Sequence, residues 1–439
     1  MKKRLFSLAS LLLFGVFATA QQVEFEEFDL DNGLHVILHQ DNSAPVVITS
    51  VMYDVGGKDY EPNRTGFAHF FEHLLFEGTQ NIGRGEWFTI VSSNGGSNNA
   101  NTSQDRTYYF EVFPSNNLEL GLWMESERLM HPIINQIGVE TQNEVVKEEK
   151  RLRMDNAPYG GFLSAIGENL FKVHPYKEKL IGEMEDLDAA TLEEFQAYFK
   201  KYYVPSNAVL VIAGDIDKAK TKKMVKDYFG PIAKGKKPVR NFGNEVPITE
   251  TIKAKYYDDN IQIPAIITAY RTPGFKTRES YVLDMISSYL SGGKSSVLYK
   301  KLVDEKKMAL QAQAINLGQV DYNIFAILAL PLGDVSLNTL IDEMDEEIVK
   351  IQNELISERD YQKLKNQFEN QYVSSNASIS GIAENLATNY LLKGDVNLIN
   401  SEIEIYRTIT REEIRDVAKK YLSKNQRLEL EYLPSKDKQ

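Results

Sequence analysis

The sequence predicts an α+β fold made of two tandem homologous domains, each a mostly antiparallel sheet with helices packed on one face. Three observations predict it. The chain has 439 residues, more than one ordinary core holds. Strand-like and helix-like segments mix within each half. Short matches also recur at one offset: Pro45-Val46-Val47-Ile48-Thr49 returns as Pro264-Ala265-Ile266-Ile267-Thr268, 219 residues on, and Thr191-Leu192-Glu193-Glu194 returns as Thr410-Arg411-Glu412-Glu413 at the same 219. A single offset near both ends of the unit marks a duplication.

In the first half, 23–30, 34–39 and 46–53 read as strands, with Asp31-Asn32-Gly33 as the hairpin turn between the first two. Further strands fall at 108–112 and 209–213, and helices at about 66–77, 118–130, 139–154 and 191–202. Thr191 with Glu194 and Thr410 with Glu413 are capping boxes, a threonine at N-cap and a glutamate three residues on. Lys201-Tyr202 returns as Lys420-Tyr421, and the strand 427–432 matches 208–213. The polar, Pro/Gly-punctuated stretch 233–245 reads as a linker. The predicted layout is a leader at 1–20, a first domain at 21–232, the linker, and a second domain at 246–435.

Hydrophobic content of 42% and charged content of 26% are those of a soluble globular protein. A formal charge of -12, with no basic aromatic-studded patch, argues against a nucleic-acid partner. Lys2, Lys3 and Arg4, the apolar segment through Phe17 and Ala18-Thr19-Ala20 before Gln21 read as an export signal and its cleavage site. Its apolar part is short for a bilayer span. Cleavage takes three positive charges from -12 and leaves -15 on an exported product, periplasmic in a bacterium or secreted, without a membrane anchor. The chain has no cysteine, which excludes a disulfide framework, a thiolate site and a lipidated N-terminal cysteine.

His69-Phe70-Phe71-Glu72-His73 reads H-x-x-E-H. On a helix His69 and His73 are four residues apart and share a face, with Glu72 on the same side. Two imidazoles and a carboxylate on one face suit a divalent first-row metal, most often zinc. Phe70, Phe71, Leu74 and Leu75 cover much of the remaining circumference, so the helix is expected to be buried, with Gly78 as its stop. A catalytic zinc usually has three protein ligands and a water. In the segment 139–154, Val145, Val146 and Leu152 are taken as the inward face, and Glu149 points into it, whereas Glu144 and Glu148 point to its edge or to solvent. A buried carboxylate is costly unless it is paired or binds a metal. Glu149 is thus the acid that needs a cation, and a salt bridge to an arginine would serve as well as a metal. His35 and His39 share a strand face without an evident third ligand, and His131 and His174, each before a proline, are expected to be structural.

These motifs make the sequence resemble the pitrilysin, insulysin and mitochondrial processing peptidase family of zinc peptidases. That family carries the inverted motif H-x-x-E-H and a third ligand glutamate about seventy-six residues on; Glu149 lies 76 residues after His73. The resemblance covers nearly all of the mature chain, including Gly95-Gly96-Ser97-Asn98-Asn99-Ala100-Asn101-Thr102, Tyr108-Tyr109-Phe110, Val145-Val146-Lys147-Glu148-Glu149, His174-Pro175 and Pro205-Ser206-Asn207. It implies one zinc ion per chain held by His69, His73 and Glu149, with Glu72 as general base. It implies that Asn99, Ala100, Asn101 and Thr102 form an edge strand that pairs with an extended peptide substrate. It also implies that the chain is half of a clamshell.

The second half cannot repeat the chemistry. All six histidines lie at or before His174, and at the offset of 219 the motif residues fall on Ser288, Ser291 and Gly292. Val303 and Leu310 stand where the family often has an arginine and a tyrosine that help bind substrate, and Gln142 stands where it has a further glutamate, on the same helical face as Glu149. The chain is also about half as long as single-chain members. The resemblance therefore implies a second subunit, a zinc-less paralogue in a heterodimer or a second copy in a homodimer. The predicted function is an exported zinc endopeptidase acting on oligopeptides or unfolded segments. The alternative is a catalytically weak or inactive peptide-binding subunit of a heterodimeric peptidase.

Overall fold

A computed structural model describes residues 22–437; the predicted leader at 1–20 lies outside them. Eleven strands form two sheets among the described residues: β1 (Glu26–Asp29), β2 (His35–Gln40), β3 (Val46–Tyr53), β4 (Ser97–Thr102), β5 (Thr107–Pro114) and β6 (Ala208–Gly214), then β7 (Ile252–Asp258), β8 (Ala265–Pro273), β9 (Ala309–Leu317), β10 (Tyr322–Pro331) and β11 (Arg427–Pro434). The first sheet has the order β1-β2-β6-β3-β5-β4 and the second β7-β11-β8-β10-β9. Strand for strand the second order repeats the first from β2 onward. In each sheet one pair is parallel, β2 with β6 and β7 with β11, and the other pairs are antiparallel.

The local signals behind these elements are plain. Gly33 takes φ +85° in the turn between β1 and β2, a conformation a side chain resists. Thr191 and Glu194 close a capping box on the helix Leu192–Tyr202, and Thr410 and Glu413 close its counterpart on Arg411–Tyr421. In each box the threonine hydroxyl accepts from the N3 amide, and the glutamate accepts from the N-cap amide.

One face of the first sheet packs on the helices of its own half, through Val36, Leu38, Val47, Val51, Leu210 and Ile212. The residues between them, Ile37, Ile48, Met52, Val209, Val211 and Ala213, point the other way and are also buried. Their cover comes from the second half: Ile382, Ala383, Leu386 and Ala387 of the helix Ile379–Thr388. The converse holds for the second sheet. Ala165, Ile166 and Leu170 of the first-half helix Phe162–Leu170 cover Ile267, Ala269, Ile324, Ala326, Leu428 and Leu430. The two helices occupy corresponding places in the repeat, so the halves exchange equivalent helices. Helices on one face is what each half supplies to its own sheet; the second face is closed by its neighbour.

The stretch 233–245 has no helix or strand, yet it is pinned at its middle and at its C-terminal end. Arg240 pairs with Asp54 and Asp59, and Glu245 accepts from the amides of Lys172, Val173 and His174 while pairing with Arg271 at 2.8 Å. A polar latch also joins the halves at the β9–β10 turn. Lys58 lies 2.8 Å from Asp105 and 2.9 Å from Asp321, and Tyr176 donates to Asp105 at 2.5 Å.

Candidate metal centre

The H-x-x-E-H residues lie on the helix Phe67–Leu74. Gly66 begins it with φ +81°, and a Cβ there would sit 2.5 Å from the Ile181 carbonyl oxygen. The helix is shorter than predicted: Leu75 caps it, and Gly78, at φ +131°, serves the following turn instead. Phe67, Phe70 and Phe71 are buried among Phe195, Tyr198 and Tyr203, which anchors one side of the helix. Its C-terminal carbonyls are held from below. Tyr109 of β5 donates to the Phe71 carbonyl at 2.8 Å, and Arg128 Nη1 donates to the Leu75 carbonyl at 2.9 Å. Arg128 is wholly buried between Glu111 and Glu125, 3.0 and 3.1 Å away, and lies over the Trp87 ring at 4.0 Å. Burial and the neighbouring Glu125 push the Glu111 carboxyl well above the usual carboxylate range.

Glu149 comes from the helix Gln136–Lys150, which runs on into a wider turn at Arg151–Asp155. Its Oε2 lies 3.4 Å from His69 Nε2 and 3.0 Å from His73 Nε2, and the three side chains each offer a ligand atom within 4.8 Å of the others. The two imidazoles beside it hold the Glu149 carboxyl far below the usual range, against the opposing effect of burial. Arg153 Nη1 takes the other oxygen at 2.5 Å, so the arginine expected as an alternative partner is present beside the imidazoles rather than in their place. Two of the three residues taken as the inward face are not inward. Val145 is 43% and Leu152 62% exposed, while Val139 and Val146 are buried. Glu149 sits at the margin of the true buried face, half-buried, where its side chain reaches His69 and His73. The valine and leucine misled because an apolar residue on a helix need not face the core.

Whether this set fits zinc can be tested on its atoms. His73 Nε2 and Glu149 Oε2, 3.0 Å apart, are buried and make no well-directed hydrogen bond to each other or to another group. Buried polar atoms close together and left unpaired are costly unless another group satisfies them. Two imidazole nitrogens and a carboxylate oxygen form a common zinc donor set. The residues present fit the ion.

Glu72 projects from the same helix and accepts from Thr102 Oγ1 at 2.6 Å. Asn99, Ala100, Asn101 and Thr102 lie in β4, the edge strand of the first sheet, paired only with β5. Gln142 lies on the same helix as Glu149, seven residues earlier. Its amide donates to Glu77 Oε1 at 2.5 Å. Arg84, which pairs with Glu77, also donates to Thr141 at 2.6 Å. A glutamate at 142 would face the Glu77 carboxylate, so the amide suits its neighbour. The remaining histidines have structural partners: His35 contacts Asp29 and Glu27 and stacks on Tyr390, His39 bonds the Glu24 carbonyl, His131 pairs with Glu127, and His174 is buried beside Asp321. Sequence reading missed Arg128, which stands beside Glu125 and Glu127 in the helix Leu118–Met130 and so reads as a solvated charge until Glu111 is brought against it.

Residues 35–183 match the family described as insulinase, peptidase family M16, and residues 189–368 match the peptidase M16 inactive domain. The chain belongs to peptidase family M16. This M16 chain is 29% identical over 438 residues to the zinc protease PqqE of Helicobacter pylori, covering 97% of each chain. It is 23% identical over 398 residues to an uncharacterized zinc protease of Rickettsia felis, covering 90% of this chain and 94% of that one. A crystal structure of a protease from Helicobacter pylori matches with a TM-score of 0.89 at 27% identity, over 94% of this chain and 100% of that one. The periplasmic protease PqqL of Escherichia coli shares the fold at a TM-score of 0.78 and 18% identity; 94% of this M16 chain matches 48% of that one.

Proposed function

We propose that the protein is an exported zinc endopeptidase that hydrolyses peptide bonds in oligopeptides or unfolded segments. The observation that carries this reading is the convergence of His69, His73 and Glu149, from two separate helices, onto one point where His73 Nε2 and Glu149 Oε2 lack a well-directed hydrogen bond. His69, His73 and Glu149 would hold the metal. A zinc ion bound there supplies Lewis acidity to a water and to the scissile carbonyl. Glu72 is the general base: with Oε2 held by Thr102, its Oε1 takes a proton from the attacking water and returns it to the leaving amine nitrogen. The outer edge of β4 offers main-chain amides and carbonyls to an extended substrate, which aligns the scissile bond without demanding a particular sequence. The leader-like segment at 1–20 supports export. Among the described residues no helix is long and apolar enough to cross a membrane.

The chain is half of a clamshell, and a second family subunit, a zinc-less paralogue or a second copy, supplies the opposite wall. The layout of two domains joined by 233–245 belongs to this reading. A second reading, a weak or inactive peptide-binding subunit, is favoured by Val303, packed on the second core, and Leu310, 46% exposed, at the places where the resemblance implies an arginine and a tyrosine. Hydrolysis of an unstructured peptide by the wild type with zinc, its loss with chelator and its loss in Glu72→Gln support the peptidase. Tight peptide binding with no turnover in any of these supports the second reading.

A further inference from the structure

The edge strand and the base are joined by one hydrogen bond. Among the described residues Glu72 accepts a single one, from Thr102 Oγ1 to Oε2 at 2.6 Å. A hydroxyl donating to a carboxylate at this distance is a strong, charge-assisted contact. The pleat explains why Thr102 makes it. Successive side chains along β4 alternate faces, so Thr102 shares the face of Ala100, which is 9% exposed, while Asn99 and Asn101 take the other. The end of the strand is also clamped. Arg106 donates to the Asn101 carbonyl at 3.0 Å and pairs at 3.0 Å with Glu384, on the helix contributed by the second half. A β-branched side chain on a clamped strand has little χ1 freedom.

We propose that Thr102 is a positioning residue for Glu72. Its hydroxyl fixes the carboxylate through Oε2 and leaves Oε1 as the atom that receives the proton. Its main chain, on the open edge of the sheet, remains available to substrate. Occupancy of the strand and orientation of the base thus meet in one residue. The inference rests on the reading of Glu72 as general base.

The test uses Thr102→Val, Thr102→Ala and Thr102→Ser in the full-length, zinc-loaded protein. Valine and alanine should lower kcat about 10- to 100-fold, part of what a general base contributes, with KM for an unstructured peptide within about twofold because the substrate contact is main-chain. Serine keeps the donor and should keep kcat within about threefold. Zinc affinity, measured by competition with a chromophoric chelator, should be the same in all four proteins. Crystal structures of zinc-loaded wild type and Thr102→Ala should show the Glu72 carboxylate in different rotamers. Wild-type kcat in the valine variant, a loss carried in KM, a serine variant as poor as valine, or an unchanged Glu72 rotamer each overturns the proposal. If wild type and Glu72→Gln prove equally inactive, the peptidase reading fails, and the rotamer comparison still decides whether Thr102 holds Glu72.

Discussion

Arg128 holds two fully buried carboxylates and one end of the motif helix at once. Removing one partner from a buried charge cluster leaves the rest uncompensated, at a cost of about 3–5 kcal/mol. Arg128→Met is expected to lower the unfolding free energy by about that amount in urea titrations. Gln142 calls for a different experiment. Gln142→Glu sets a second carboxylate against Glu77 and should cost about 1 kcal/mol at neutral pH, with most of it recovered in the double variant with Glu77→Gln. Equal destabilisation with and without Glu77 would show that the two residues do not communicate. At this scale the sequence was legible where spacing alone decides: His69 and His73 share a face because a helix turns 100° per residue. It was misleading where a residue's role depends on what lies opposite. Gln142 reads as the loss of a charge near the metal, and its hydrogen-bond partner, Glu77, is seen only in the structure. Glu149 was singled out by a face that Val145 and Leu152 do not belong to.

Among the elements, the capping boxes were readable because each is closed within four residues, and both helices start where the threonines stand. The exchange of helices was not, since nothing in a local pattern says which half a helix will cover. One signal did exist. β6 is apolar at successive positions from Ala208 to Ala213 and buried along its whole length, as a strand covered on both faces must be. The β9–β10 latch also belongs to this scale. Burial opposes the charge on Asp321, but His174 and Lys58 outweigh it and hold its carboxyl far below the usual range. A depressed carboxylate stabilises the fold fully above its unfolded pKa, about 3.9, and loses that contribution as pH falls through the folded value. Melting temperatures of the wild type should therefore fall below about pH 4 more steeply than those of Asp321→Asn. Parallel curves would show that the latch is not linked to protonation.

For the whole molecule, each sheet depends on a helix from the other repeat. A half produced alone leaves one apolar sheet face bare and exposes its own helix without a partner. Residues 22–232 and 246–437, expressed separately, are expected to aggregate, and to recover solubility and a single cooperative unfolding transition when produced together. Two monomeric, soluble halves would contradict this. The duplication itself was visible in the sequence through its offset, and the repeated strand order of the two sheets agrees with it. The interlock behind the offset required coordinates.

That interlock also decides how the chain can move. A hinge between the repeats would have to withdraw both helices and wet two apolar faces together, which no small rearrangement of 233–245 can offset. The two repeats are expected to turn together rather than against each other, and small-angle scattering of the chain alone should fit one shape.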